Sequence, residues 1–371
     1  MDLYIDRDEL SRGLSRVQSI VERRGTHPLL AHVLLHARED GVRMTATDTE
    51  VAFIGDLAAN VEEPGEIAVE AASLFQVVRS LPEPTVHLKL GAGNRLSVQS
   101  GRARFRLPGS PAEEFPQLPA FDGRGAATIK EGALRRLVEC THFAVATDDV
   151  RYGLNGVHLE EVETEGGNQL RFVATDGHRL ACAQASFEGE LVITPRTLVP
   201  RKALTVMRKL LEGDEEPVEV SFGDGSIRLS RPGQMFWFRL LDGEFPDYTA
   251  VVPREHKMQA RLRRDEFTAT LRRVMILVAD RARAVRFGFG DGELEIEVHN
   301  VDRGEVKENL PLEIDGDPTV VGFNAKFVQE VLGVLGGEYV VMEHSNPLAP
   351  CLMRDPDDED AFFVVMPMRL D

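Results

Sequence analysis

The chain has 371 residues, 43% hydrophobic and 28% charged, the balance of a folded globular protein and too long for one ordinary domain. No apolar run is long enough to span a membrane, and MDLYIDRDEL has no basic segment before an apolar one, so no secretory signal is expected. A net charge of −18 argues against phosphate binding by the surface as a whole, and three widely spaced cysteines (Cys140, Cys182, Cys351) suit a reducing cytoplasm without disulfides or metal sites.

In chain order, residues 7–21 put Leu10, Leu14, Val17 and Val21 on one helical face. AHVLLHA reads as a strand, so His32 and His36 are not a helical metal pair. EIAVEA follows, then a second helix, EAASLFQVVRSL from Glu70. TVHLKL, LSVQS and ARFRL alternate like strands, with GAGNR at Gly91 as a hairpin turn. After the loop FPQLPAFDGRG the pattern restarts. KEGALRRLVECTHFA carries Leu134, Val138 and Thr141 at matching places, QLRFVAT is a strand, and PRKALTVMRKLLEG is the next helix. Pro200 suits its first position and Gly213 its C-terminal cap. VEVSF, SIRLS and MFWFRL are strands, with Trp237 in strand packing.

After FPDYTAVVPRE comes a third round. RDEFTATLRRVMILV carries Phe267, Leu271, Val274 and Val278, AVRFGFG and ELEIEVH flank the turn GFGDG, and FNAKFVQEVLGVLGG is capped by Asn324. FFVVMPM closes the chain. Echoes at a common offset of about 130 residues support repetition: Ala46-Thr47-Asp48 with Ala174-Thr175-Asp176, and Glu114-Phe115-Pro116 with Glu244-Phe245-Pro246. The expectation is α+β, with three repeated domains at 1–122, 123–252 and 253–371, each with two helices packed on antiparallel sheet.

Basic residues concentrate on the six helices and their flanks: Arg12, Arg16, Arg23, Arg24, Arg79, Arg135, Arg136, Arg201, Lys202, Arg208, Lys209, Arg263, Arg264, Arg272, Arg273, Arg281, Arg283 and Lys326. Acids crowd the loops. A shared basic helical face would meet phosphates without reading bases.

Asp149-Val150-Arg151-Tyr152 with Leu154-Asn155-Gly156, Ala174 through Ala181, Val199-Pro200-Arg201-Lys202, Asp242 through Tyr248, Gly322-Phe323-Asn324 and Val365 through Leu370 fall in order along the whole chain. Together they are similar to the beta subunit of bacterial DNA polymerase III, the sliding clamp. The resemblance implies the DNA clamp fold and a head-to-tail homodimeric ring around duplex DNA, bound without sequence preference. It also implies a processivity role in DNA replication without catalysis or cofactor. Its partners would be the polymerase III catalytic subunit, the clamp loader, other polymerases and repair proteins, all held through a linear peptide.

By motif position, the resemblance implies a dimer interface. Phe105 and Leu107 would pack on Ile276 and Leu277, and Arg95, Arg102 and Arg104 would meet Asp302, Glu305 and Glu308. Ordinary burial of Phe105 and Leu107 within one chain would give the same alternation. The implied peptide pocket comprises Leu154, Thr175, Gly177, His178, Arg179, Leu180, Pro246, Val251, Leu348, Pro350, Val364, Met366, Pro367, Met368 and Arg369, with Arg179 and Arg369 bonding the peptide at the rim. Methionines suit a wall that adapts to varied peptides. Arg24, Tyr152, Arg201 and Lys202 match DNA contacts. Ala250, Asp371, Asp148 and Gly153 depart from the family pattern and put the peptide and DNA contacts beside them in question.

Two other readings compete: a clamp-like paralogue without ring closure, and a nucleotide-processing enzyme on a repeated α+β fold. Asp176 and His178 sit near one turn, but no nucleophile elbow accompanies them. The glycine-rich turns lack the helix and Lys of a phosphate loop.

Overall fold

The computed structural model describes residues 1–22, 27–118, 120–147, 152–194, 196–278 and 284–370, with the side chain of Tyr152 outside the description. Arg23, Arg24, Asp148, Arg281, Arg283 and Asp371 lie outside the described residues.

Six α-helices occur among the described residues: α1 (Arg7–Val17), α2 (Ala71–Ser80), α3 (Glu131–Thr141), α4 (Arg201–Leu210), α5 (Arg264–Val274) and α6 (Ala325–Leu332). The Asp6 carboxylate starts α1 by accepting from the amides of Asp8 and Glu9, and Asn324 starts α6 by accepting from Lys326 N. Leu10, Leu14 and Val17 are fully buried on α1, as are Phe267, Leu271 and Val274 on α5. α5 ends at Val274, so Val278 falls beyond the helix and is half-buried.

Two expected helix signals act differently. Pro200 closes the strand Thr197–Pro200, and α4 begins one residue later. Gly213 lies beyond the end of α4 and is not left-handed; its N–H donates to Glu131 Oε1 at 2.9 Å. A carboxylate from α3, not a glycine cap, satisfies this connection. Glu131 is 1% exposed, also accepts from Glu212 N at 2.7 Å, and pairs with Arg231 at 2.7 Å. The turns at Gly93-Asn94 and Asp291-Gly292 have positive φ at both central residues, the hairpin geometry expected of these glycine-rich runs.

The chain forms two compact units. One contains Met1–Gly132, Phe187–Val192 and Lys202–Leu240; the other contains Ala133–Ser186, Ile193–Arg201 and Leu241–Asp371. The first unit holds a fourteen-stranded antiparallel sheet, and the second holds sheets of ten and four strands. The second sequence repeat therefore divides between the units. Its strand Gln234–Arg239 joins the first repeat by pairing with Val51–Leu57, Phe238 opposite Val51. Its strand Arg179–Ser186 joins the third repeat by pairing with Ala361–Val365, Arg179 opposite Val365. Each joint is a continuous hydrogen-bonded ladder.

Candidate functional site

The last strand and the turn before Arg179 form the site. Pro367 cannot continue the ladder, so pairing with Arg179–Ser186 stops at Val365 and the tail turns away. Met366 N donates to His178 O at 2.9 Å and Met368 N to Gly322 O at 2.8 Å. A side chain at Gly322 would collide with Met368 O at 2.5 Å and with Leu370, so glycine lets the tail lie flat there.

The turn itself is a dense Asx and Thr motif. Thr175 Oγ1 donates to Arg179 O at 2.6 Å and accepts from Gly177 N at 3.1 Å. Asp176 Oδ1 accepts from His178 N at 2.9 Å and Arg179 N at 3.1 Å. Gly177 has φ +83, which glycine adopts without strain.

Leu180 and Val364 face each other across the ladder and are buried with Val173 and Cys182; Phe245, Tyr248, Val252, Leu352 and Phe362 pack on this cluster. Pro246 and Val251 belong to the same packed segment but point outward, Val251 at 42% exposure. Pro350 is set beside the tail because the next residue, Cys351, pairs with Val365. Leu348 is 74%, Met368 36% and Leu370 41% exposed. Of the expected groove residues, Leu180 and Val364 belong to this buried cluster, Pro246 and Val251 adjoin residues that pack on it, and Thr175, Gly177, His178, Pro350, Met366, Pro367 and Met368 lie along the turn and the tail beside it. Leu348 and Arg369 are exposed, and Leu154 is half-buried in the turn Tyr152–Leu154.

Arg179 does not sit at the rim as expected. It is 8% exposed; its guanidinium binds Asp176 at 3.1 Å, Phe143 O at 2.5 Å and Glu330, and lies over the rings of Phe327 and Phe143. These bonds tie the turn to α6. The turn also lines a polar cavity of about 420 Å³ with His142, Arg201, Lys326 and Phe327. Sequence reasoning missed Phe143, Phe327 and Glu330; the only signal was the helical spacing of Phe327 and Glu330 on α6.

The floor is chemically quiet. Burial pushes the Cys182 thiol up to about 12. The His158 ring and the Tyr248 hydroxyl hold Glu160 below the usual carboxylate range. Burial, then the bond to Glu160, raises Tyr248.

The expected basic face is partly neutralised within the chain. Lys202 is held by Asp48 at 2.7 Å and Glu50 at 2.8 Å, which offsets a cation in the first turn of α4. Arg136 pairs with Asp358 and Arg273 with Glu308. Arg12, Lys209 and Arg272 are exposed, as is Arg201, which keeps a partner. Arg24 and the Tyr152 side chain lie outside the description.

Among the described residues, two of the strand edges bear on the expected interface. Ala103–Ser110 pairs with Arg95–Ser100, but on its other side, among the described residues, only Gly109 and Ser110 find strand partners. Gly304–Pro311 ends the four-stranded sheet. Phe105 is 36% and Ile276 69% exposed, with Leu107 and Leu277 half-buried. Phe105 is therefore not ordinary core. Arg95, Arg102, Arg104, Asp302 and Glu305 are exposed, whereas Glu308 already binds Arg273 of its own chain at 2.8 Å.

Family models match in order along nearly all of the chain: the DNA polymerase III beta subunit N-terminal domain over residues 1–119, its central domain over 128–247 and its C-terminal domain over 249–369. The beta sliding clamp of Caulobacter vibrioides is 35% identical over 372 residues, covering 100% of both chains. A crystal structure of the Caulobacter crescentus beta sliding clamp superposes with TM-score 0.93 at 35% identity, covering 100% of this chain and 99% of that one. A Bartonella birtlesii sliding clamp bound to griselimycin superposes with TM-score 0.92 at 32% identity, covering 100% of each. With three clamp domains in order along its full length, this chain belongs to the DNA polymerase III beta subunit family, the sliding clamps.

Proposed function

We propose that the chain is a non-catalytic processivity factor of the cytoplasm. Two copies close head to tail around duplex DNA, and each tethers polymerases and other DNA-processing proteins through the groove beside its C-terminal tail. The observation that carries this reading is the pair of open strand edges on a chain that matches sliding clamps end to end. An unpaired apolar edge invites another strand, and two different edges on each chain allow a closed heterologous assembly. Domain limits of 1–122, 123–252 and 253–371 accompany the reading and are supported by the family-model segments.

In the interface, Phe105 and Leu107 pack on Ile276 and Leu277 of the second copy, and Arg95, Arg102 and Arg104 face Asp302 and Glu305. Glu308 joins only by sharing Arg273. The groove residues are those gathered around Leu180 and Val364, with Arg179 as support and Arg369 as the free rim cation. Arg201 remains a DNA contact, while Lys202 is committed to Asp48 and Glu50. Replacing Ile276 and Leu277 together by Ala should weaken the dimer by several kcal/mol, from roughly 2–5 for each fully buried side chain. Sedimentation at falling concentration checks this, and undiminished dimer in the double variant would count against the interface. Short linear duplexes of different sequence should bind weakly and equally; discrimination of about 4–10 kcal/mol among them would mark a specific regulator instead.

A further inference from the structure

The outer wall of the groove is carried by residues 243–257, a stretch without a strand between Leu241–Asp242 and Met258–Arg263. Only the short 3-10 turn Tyr248–Ala250 interrupts it, started by Asp247, which accepts from Thr249 N at 3.0 Å. Backbone ladders therefore do not fix this wall. Side chains do, and they converge on one tyrosine.

Glu160, Arg171 and Gln184 lie opposite one another on three adjacent strands and form a polar row across one sheet face. Arg171 donates Nε and Nη2 to Gln184 Oε1 at 3.1 and 2.7 Å. Beside this row lies the apolar cluster of Val173, Leu180, Cys182 and Val364. Tyr248 spans both: its ring packs on the cluster, and its hydroxyl donates to Glu160 Oε1 at 2.5 Å and accepts from Arg171 Nη1 at 3.3 Å. Three residues earlier, Phe245 stacks on the His158 ring, centroids 5.2 Å apart and planes 10° apart. The two anchors bracket Pro246 and precede Val251, the residues the wall presents outward.

We infer that Tyr248 is a positioning residue for peptide binding, its hydroxyl fixing the Pro246–Val251 wall against the sheet through Glu160 and Arg171. This rests on the groove reading above. A half-buried, charge-assisted hydroxyl bond is directional, whereas the ring alone can slide on an apolar surface. A wall left free to shift must be ordered again when a ligand enters, and affinity falls by that cost.

The test measures griselimycin binding to the full-length dimer by calorimetry. Tyr248→Phe keeps the ring and the fold and should weaken binding roughly three- to tenfold, the size of one such bond. Glu160→Ala should weaken binding at least as much, since it also removes the partner of Arg171 and His158, and the double variant should be no worse than Glu160→Ala alone, because the hydroxyl acts through that carboxylate. Glu160→Gln keeps an acceptor without the charge and should fall between wild type and Glu160→Ala. Circular dichroism and sedimentation should show all variants folded and dimeric. If the wild type binds and Tyr248→Phe binds equally well, or if Glu160→Gln falls as far as Glu160→Ala, the positioning role is overturned. If the wild type itself does not bind griselimycin, the groove reading fails and this proposal with it.

Discussion

The turns at Thr47–Val51 and Thr175–Arg179 are the same device used for two purposes. Thr47 Oγ1 donates to Val51 O at 3.0 Å as Thr175 does to Arg179 O, and Asp48 Oδ1 accepts from Glu50 N and Val51 N as Asp176 does from His178 N and Arg179 N. Arg239 N meets Glu50 O at 2.8 Å just as Met366 N meets His178 O. In the first copy the strand after the turn pairs with Gln234–Arg239, and the chain runs on into Leu241–Asp242. In the second copy the partner strand is Ala361–Val365, and the residues after it leave the ladder at Pro367, Met368 N meeting Gly322 O at 2.8 Å. The flanking cations differ too: Lys202 reaches Asp48 from outside the first turn, whereas Arg179 of the second is itself buried and reaches α6. The same turn thus serves one joint that continues into further ladder and another whose partner strand is stopped by a proline.

Removing residues 367–371 tests that difference most severely. The truncated protein should stay folded and dimeric, while griselimycin binding in calorimetry falls by roughly a hundredfold or more as several anchors go at once. Full binding by the truncated chain would show that the tail is only the end of a strand. Next in size, Arg179→Ala removes the buried cation that Asp176 and Glu330 share and should cost about 3 kcal/mol in urea unfolding of the second unit. A loss below about 1 kcal/mol would mean that the turn holds itself, as its counterpart does without an arginine.

Acid should separate the units. His344 in the second unit is 1% exposed, and burial holds its pKa below the usual value. The unfolded chain takes a proton near pH 6.5 that the folded chain refuses, so stability is full above pH 6.5 and falls as pH drops through the folded pKa. The slope is at most about 1.4 kcal/mol per pH unit. In the first unit the Arg43 guanidinium keeps Asp56 below the ordinary carboxylate range. That contribution is present above the usual Asp value and is lost only as pH falls below it. Melting followed from pH 7 to 5 should therefore show His344→Leu flattening the decline while Asp56→Asn leaves its slope unchanged. The smallest effect concerns Thr49, a β-branched residue at φ +75 where the second turn has Gly177. Thr49→Gly should change stability by no more than about 1 kcal/mol, relief of strain being offset by the flexibility of glycine.

The repetition was legible because it is carried by local signals: helical spacing of Leu10, Leu134 and Phe267, glycine turns, and the two Ala-Thr-Asp echoes. The groove's floor was legible only through the resemblance, since Leu180 and Val364 are distant in sequence and ordinary in type. Arg179 was misplaced because its partners, Phe143 and Glu330, lie far from it along the chain, and nothing local to an arginine says that carboxylates will bury it. The intrachain partners of Lys202 and Glu308 were illegible for the same reason: Asp48 and Arg273 become neighbours only through the fold. Tyr248 was visible as part of a motif, but its role depends on a row of side chains from three strands.

Loading on nicked circular DNA, followed by gel filtration in moderate salt before and after cutting the circle, tests the central claim directly. A topological ring held by the open edges should remain with the circle and be lost once it is linearised, with no dependence on sequence. Equal retention on circular and linear DNA, or none on either, would contradict encirclement.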